Sequence, residues 1–229
     1  MGGNDRLVEQ HLDLARKAAA MVYPRVKDHV EFDDLVALGQ AGLVEAANRY
    51  DASRGASFST FAWYRVQGAI IDGLRRQTTL PRRVWAKLVA LRAASDYLET
   101  QAERERGASA QHGASSGGAA EALAKVQSAI SAIRTMYVTS LDAAREQGFD
   151  AVDEGEGPDG RLRASQLSAR LRKAIDALPE RERTLLTKHY WEGKNLVEAG
   201  TELGISKSWA SRIHAQAVDR LRSELERDG

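Results

Sequence analysis

Phe58, Phe61, Trp63 and Tyr64 fall within seven residues, and Arg65, Arg75, Arg76, Arg82 and Arg83 follow them. Such a block has a chemical use. Unpaired bases stack on aromatic rings while cations track the phosphates, and each stacked base contributes about 1–3 kcal/mol. A base taken out of a duplex needs a pocket of this kind, because unstacking costs a few kcal/mol. A plainer reading fits the same residues. Phe58 and Phe61 are spaced i, i+3, as core residues often are, and the arginines also suit a solvated helix face. By spacing alone the core is the better reading of the rings, and some can serve both purposes.

A second group lies near the C-terminus. At about 100° per residue, Lys207, Ser208, Ser211 and Arg212 gather on one side of a helix, and Trp209, Ala210, Ile213, Ala217 and Leu221 on the other. A helix that docks its apolar side on a scaffold and turns its polar N-terminal side to the major groove can read DNA. Lys and Arg there reach guanine edges or phosphates. A helical hairpin with a solvated face is the plain alternative. Residues 165–229 carry 12 Lys or Arg against 10 Asp or Glu, a net of +2, so this segment alone should bind DNA weakly.

Other chemistries find little support. The five histidines (11, 29, 112, 189, 214) do not have metal-ligand spacing. His189, beside Tyr190 and Trp191, reads as a packed or surface histidine. Asp33 and Asp34 resemble a carboxylate pair, but capping of a helix by Asp33 explains them more simply. No phosphate-binding Gly loop or nucleophile elbow is present. With no Cys, a disulfide scaffold and thiolate metal sites are excluded. We therefore expect no enzyme, no metal and no cofactor. Charged residues from Arg6 to Lys17 interrupt any signal-peptide pattern, no stretch has the length of a membrane span, and a cytoplasmic location follows as the default.

The elements that must position these groups are helical. Val8, Leu12, Ala15, Ala19 and Val22 share one face of a first helix, which Pro24 ends or interrupts. A second helix follows Asp33, with Leu35, Leu38, Gly42, Leu43, Ala46 and Tyr50 on its apolar side. Gly39 and Gly42 lower helix propensity there and mark close helix–helix approach. A turn at 51–55, a third helix over about 59–76 and a fourth over about 82–106 complete the first half. The stretch Gly107–Ala120, rich in Gly, Ala and Ser, reads as a linker. A helix over about 121–137 precedes a second, acidic linker. Helical periodicity resumes at Ser165. Pro179 opens a helix that reaches Trp191, Asn195 and Glu198 have capping-box spacing, Gly204 ends the next helix, and Ser206 caps the last. The fold class is all-α: several small helical domains on flexible linkers, with a C-terminal helix-turn-helix.

Charge is distributed unevenly along this frame. Residues 65–92 hold seven Lys or Arg and one Asp, a net of +6, while residues 142–160 hold seven Asp or Glu and one Arg, a net of −6. The first run suits phosphates. The second should extend by self-repulsion.

Several runs together resemble one family. Glu31-Phe32-Asp33-Asp34-Leu35, Gly39-Gln40-Ala41-Gly42-Leu43, Arg49-Tyr50-Asp51 and Phe58-Ser59-Thr60-Phe61-Ala62 are similar to region 2 of the sigma-70 family of bacterial RNA polymerase sigma factors. Gly68-Ala69-Ile70-Ile71-Asp72-Gly73-Leu74-Arg75 and Leu80-Pro81-Arg82-Arg83-Val84 resemble the flagellar and sporulation subgroup of alternative factors, and Leu178-Pro179-Glu180-Arg181-Glu182-Arg183 with the helix-turn-helix resembles region 4. These runs stand in family order and span about two thirds of the chain. The resemblance implies residues 1–79 as region 2, 80–138 as a divergent region 3, 139–164 as an acidic linker towards the polymerase cleft, and 165–229 as region 4.

It also implies roles. Asp34, Leu35, Gln40, Gly42 and Val44 match the grip on core polymerase, through a coiled coil of its β′ subunit; β is the other expected core contact. Phe58, Thr60, Phe61, Tyr64, Arg65 and Gln67 match the handling of the opened −10 element, and Arg82 and Arg83 the DNA just upstream. Lys207, Ser208, Ser211 and Arg212 match the readers of the −35 element. The implied partners are core RNA polymerase, promoter DNA and an anti-sigma factor, with no membrane. There are departures from primary factors. Tyr64-Arg65 stands where they carry a tryptophan pair, Ala37 and Leu38 stand where they carry polar residues, and Gly107–Gly118 replaces a helical motif. The alternative reading is a free-standing helix-turn-helix regulator, which would have no need of the region 2 block.

Overall fold

The computed structural model describes residues 3–77, 80–112, 119–146 and 158–227, and it divides into two compact units, Met1–Leu88 and Val89–Gly229. Among the described residues there are ten α-helices and no strand, as the periodicity predicts. No helix among them is long and apolar enough to cross a membrane, and no group of His, Asp or Glu could hold a metal ion.

The first unit holds α1 (Gly3–Gln10), α2 (Leu12–Val26), α3 (Phe32–Arg49), a 3-10 turn (Ala52–Arg54), α4 (Phe58–Gln77) and the start of α5 (Arg82–His112). The single first helix read from the sequence is two. The chain breaks at His11, whose φ of −126° leaves the helical region and whose ring packs edge-on against Phe58 at 4.9 Å. Pro24 does not end α2, which runs on to Val26. The missing donor would have faced the carbonyl of Ala20, an exposed residue, where water can replace it. Asp33 is not a cap either. The cap position belongs to Glu31, with no side-chain bond, and Asp33 and Asp34 sit in the first turn, where the helix dipole favours negative charge.

Ala15, Val22, Leu35, Leu43, Ala46, Val66 and Ile70 are fully buried between α2, α3 and α4. Close approach depends on the glycines the sequence singled out. A Cβ on Gly39 would lie 3.2 Å from Cβ of Ala15, and one on Gly42 would lie 2.5 Å from Cβ of Ala69 and 3.1 Å from Cα of Val66. The contact at Gly42 includes backbone, so it cannot be relieved by a rotamer. Gly42→Leu is expected to destabilise this unit by about 1–3 kcal/mol, the usual penalty of overpacking, read as a lower urea midpoint.

The second unit continues α5 and adds α6 (Ala119–Glu146), α7 (Pro158–Asp176), α8 (Glu180–Leu186), a π-type turn (Thr187–Trp191), α9 (Leu196–Glu202) and α10 (Lys207–Arg227). Both expected linkers shrink. Helix α5 runs through Gly107 to His112, and α6 begins at Ala119, so only 113–118 of that stretch lies outside the described residues. Helix α6 continues through Asp142 to Glu146 and α7 begins at Pro158, leaving 147–157 outside. Asp142 is not a solvated linker charge. It is 2% exposed, accepts from Nε of Arg172 at 3.1 Å and bonds Ser168. A charge held by Arg172 no longer repels the rest of the run, which lets the helix extend.

The helix-turn-helix rests on a polar interior. His214 is fully buried with Nε2 3.1 Å from the hydroxyl of Tyr190, and the ring of His189 lies 5.5 Å away. His189 is thus a packed histidine, with Nδ1 2.7 Å from the carbonyl of Lys194. Burial, and then His189, lower the pKa of His214 to about 3, while Asp96 acts in the opposite sense. The unfolded chain protonates His214 below about 6.5, and the folded chain does not. Stability should therefore be intact above pH 6.5 and fall by up to about 1.4 kcal/mol per pH unit from there towards pH 3. Urea midpoints between pH 7 and pH 5 test this, and His214→Gln should flatten the slope.

Candidate polymerase and nucleic-acid interfaces

Helix α3 turns one side inward through Leu35, Gly39, Gly42, Leu43, Ala46 and Ala47. Its other side is open. Asp33, Ala37, Gln40, Val44 and Asn48 recur at helical spacing and are exposed, with Asp34, Ala41 and Glu45 beside them. Val44 is an aliphatic side chain at 47% exposure in the middle of that face. Helix α1 borders it: Asn4 Nδ2 donates to Asn48 Oδ1 at 3.2 Å, and Val8 and Glu9 line a groove with Val44 and Ala47. Of the residues read as the polymerase grip, Asp34, Gln40 and Val44 can touch a partner. Leu35 and Gly42 are buried, so they position the face and do not contact anything beyond it. Leu38, one of the departures, also faces inward and packs over Gly73.

Helix α4 carries the aromatic block. Ser57 caps it, its hydroxyl accepting from the amide of Thr60 at 3.2 Å. Phe58 lies in the core, edge-on to His11 and to Tyr50. Gln67 is 2% exposed, and its amide donates to the sulfur of Met21 at 2.9 Å. Neither can touch DNA; the apolar spacing wins for Phe58, and a satisfied amide explains Gln67. Thr60 is exposed, and Phe61, Tyr64 and Arg65 are half-buried. The guanidinium of Arg65 lies 3.6 Å from the ring centroid of Phe61 and donates to its carbonyl at 3.1 Å. A cation parked on an aromatic face adds about 0.5–1 kcal/mol at an exposed position. The pair offers a flat, positively charged surface. Arg82 and Arg83 are exposed at the start of α5.

The helix-turn-helix is built as the sequence predicts. Asn195 accepts from the amides of Val197 and Glu198, and Glu198 reaches back to the amide of Asn195, closing the capping box. Gly204 turns the chain with φ +68°, a left-handed conformation that suits glycine. The amide of Trp209 donates to the hydroxyl of Ser206, which caps α10. Leu185, Ala199, Ala210 and Ile213 form the core between helices, with Leu203 and Ile205 against it. Glu182 is buried yet bonds Arg220 at 2.8 Å; burial raises its pKa, and Arg220 opposes the shift. Lys188 and Lys194 are both held by Glu202, at 2.6 and 2.7 Å, so two of this segment's cations are engaged within the fold.

Lys207, Ser208 and Arg212 are exposed at the start of α10, and Ser211 is half-buried. Trp209 departs from expectation. The sequence places it on the apolar side, but it is 47% exposed. The next residue, Ala210, takes the buried position against Gly200 instead. At about 100° per residue, Ser208 and Gln216 each lie about 40° from Arg212 and Trp209 about 60° from it. The presented face is thus centred on Arg212 and includes Trp209 and Gln216, both missed by sequence reasoning. The border position of Trp209 on the helical wheel was the available signal.

These two interfaces are carried by segments that match known families. Residues 7–79 match Sigma-70 region 2, and residues 174–223 match Sigma-70, region 4. The RNA polymerase sigma factor FliA of Escherichia coli (strain K12) is 33% identical over 229 residues, covering 96% of this chain and 92% of that protein. The chain belongs to the sigma-70 family. RNA polymerase sigma-D factor of Bacillus subtilis (strain 168) is 30% identical over 236 residues, covering 97% of this sigma factor and 89% of its relative. The solved flagellar sigma/anti-sigma complex Sigma-28/FlgM is 22% identical, with 97% and 95% covered and a TM-score of 0.32, too low to define a shared arrangement. This is an alternative sigma factor of the FliA and sigma-D type. It binds core RNA polymerase, directs it to promoters and is not itself an enzyme.

Proposed function

We propose that the sigma factor divides promoter recognition between its ends. Residues 1–79 grip core polymerase through Asp34, Gln40 and Val44 and handle the opened −10 strand through Thr60, Phe61, Tyr64 and Arg65. Arg82 and Arg83 follow the phosphates just upstream. Residues 80–138 act as region 3, residues 139–164 connect, and residues 165–229 read the −35 duplex through Lys207, Ser208, Ser211 and Arg212. The open face of α3, with exposed Val44 at its centre, is the observation that carries the polymerase assignment. An anti-sigma protein is a further proposed partner, supported by membership of the flagellar-type group, and the proposed place of action is the bacterial cytoplasm.

The low net charge of residues 165–229 supports dependence on polymerase. Two weak DNA contacts combine strongly only when their spacing is fixed. In a gel-shift with a cognate promoter, the holoenzyme should bind far more tightly than the free chain. Equal affinity of the free chain would favour a plain regulator.

A further inference from the structure

We propose that Trp209 reads thymine in the −35 element, by laying its indole against the C5-methyl group in the major groove. The inference rests on the assignment of α10 as the −35 reader and extends it to a residue outside the polar set. Trp209 occupies the first turn of α10, the part of a recognition helix that reaches base edges. Its amide is fixed by Ser206, so the start of the side chain is held. Trp209 lies at the edge of the face that presents Arg212 and is 47% exposed.

The chemistry of the ring selects its target. An indole has no acceptor and one donor, and its bulk is apolar. In the major groove, guanine offers acceptors, cytosine a donor and adenine one of each. Only thymine adds an apolar group, its methyl. A tryptophan beside Arg212 therefore complements an A·T pair next to a pair read by the guanidinium. It also gains what solvent exposure forfeits, since the indole is covered only when DNA is bound.

The test uses holoenzyme reconstituted from core polymerase and the full chain, on a promoter that it transcribes. Each −35 thymine is replaced in turn by uracil, which removes the methyl and leaves pairing intact. At one position, uracil should weaken binding by wild-type holoenzyme about 3–5-fold, the worth of one buried methyl. Trp209→Ala should weaken binding to the thymine promoter and show no further loss with uracil. Trp209→Phe should keep part of the sensitivity. If Trp209→Ala retained full uracil sensitivity, the assignment would be overturned; weaker binding to both templates with that sensitivity retained would place the indole on the backbone. Loss of core binding by Trp209→Ala would also overturn it, in favour of a contact with polymerase. Arg212→Ala separates this proposal from its premise. If Arg212→Ala weakens −35 binding while wild type ignores uracil at every position, the premise stands and Trp209 is not a base reader. If neither variant affects −35 binding, the premise fails as well.

Discussion

Val44→Arg is expected to weaken the complex with core RNA polymerase at least tenfold, about 1.4 kcal/mol, with no change in urea midpoint. Val44 sits at the centre of the open face of α3, flanked by Gln40 and Asn48. A position at the centre of a covered face is fully desolvated when the partner docks. An arginine there would have its charge buried without a designed partner when the complex forms, and would stay solvated when it does not. Gln40→Arg should act in the same direction. Leu35→Ala should also reduce binding, but through stability, because Leu35 is buried. Its effect should appear in the urea midpoint as well, at about 2–5 kcal/mol. Co-purification with core beside urea unfolding separates the two kinds of loss. Unchanged co-purification by Val44→Arg would remove α3 from the interface.

The second large effect concerns the two DNA states. Arg212→Ala should cost about 1–3 kcal/mol of promoter binding and relax selectivity at one −35 position. It should leave a pre-melted bubble template nearly unaffected. Tyr64→Ala should do the reverse: closed complexes form, and strand opening is impaired, because stacking is gained only once bases leave the duplex. Phe61 is a less direct choice for this experiment, since Arg65 already covers its ring at 3.6 Å and a base must share or displace that cation. Normal opening by Tyr64→Ala, together with failure of Arg212→Ala on the bubble template, would reverse the assignment.

Much of this was legible in the sequence because the signals were local. Apolar residues at helical spacing placed α3 and α4 within one or two residues. Asn195 with Glu198, Gly204 and Ser206 are each a local capping or turn requirement, and each is met in the structure. The family motifs gave the function. What the motifs could not give was the mode of action of each residue. Leu35, Gly42, Phe58 and Gln67 match functional runs, yet they face inward, and a motif does not distinguish touching a partner from holding the helix that does. Trp209 failed for a geometric reason, since a residue at the border of the wheel is assigned by the space its neighbours leave. Asp142 failed because charge counting cannot see Arg172, thirty residues later, which pairs with it.

This chain acts as the promoter-specific subunit of RNA polymerase and not as a regulator on its own. Permanganate footprinting of exposed thymines at the −10 element tests this most directly. Reactive thymines should appear when core polymerase and the chain are both present, and with neither alone. They should be lost with Val44→Arg and restored by raising its concentration. Promoter opening by core alone at the same position, or full promoter occupancy by the free chain with no opening when core is added, would contradict the account.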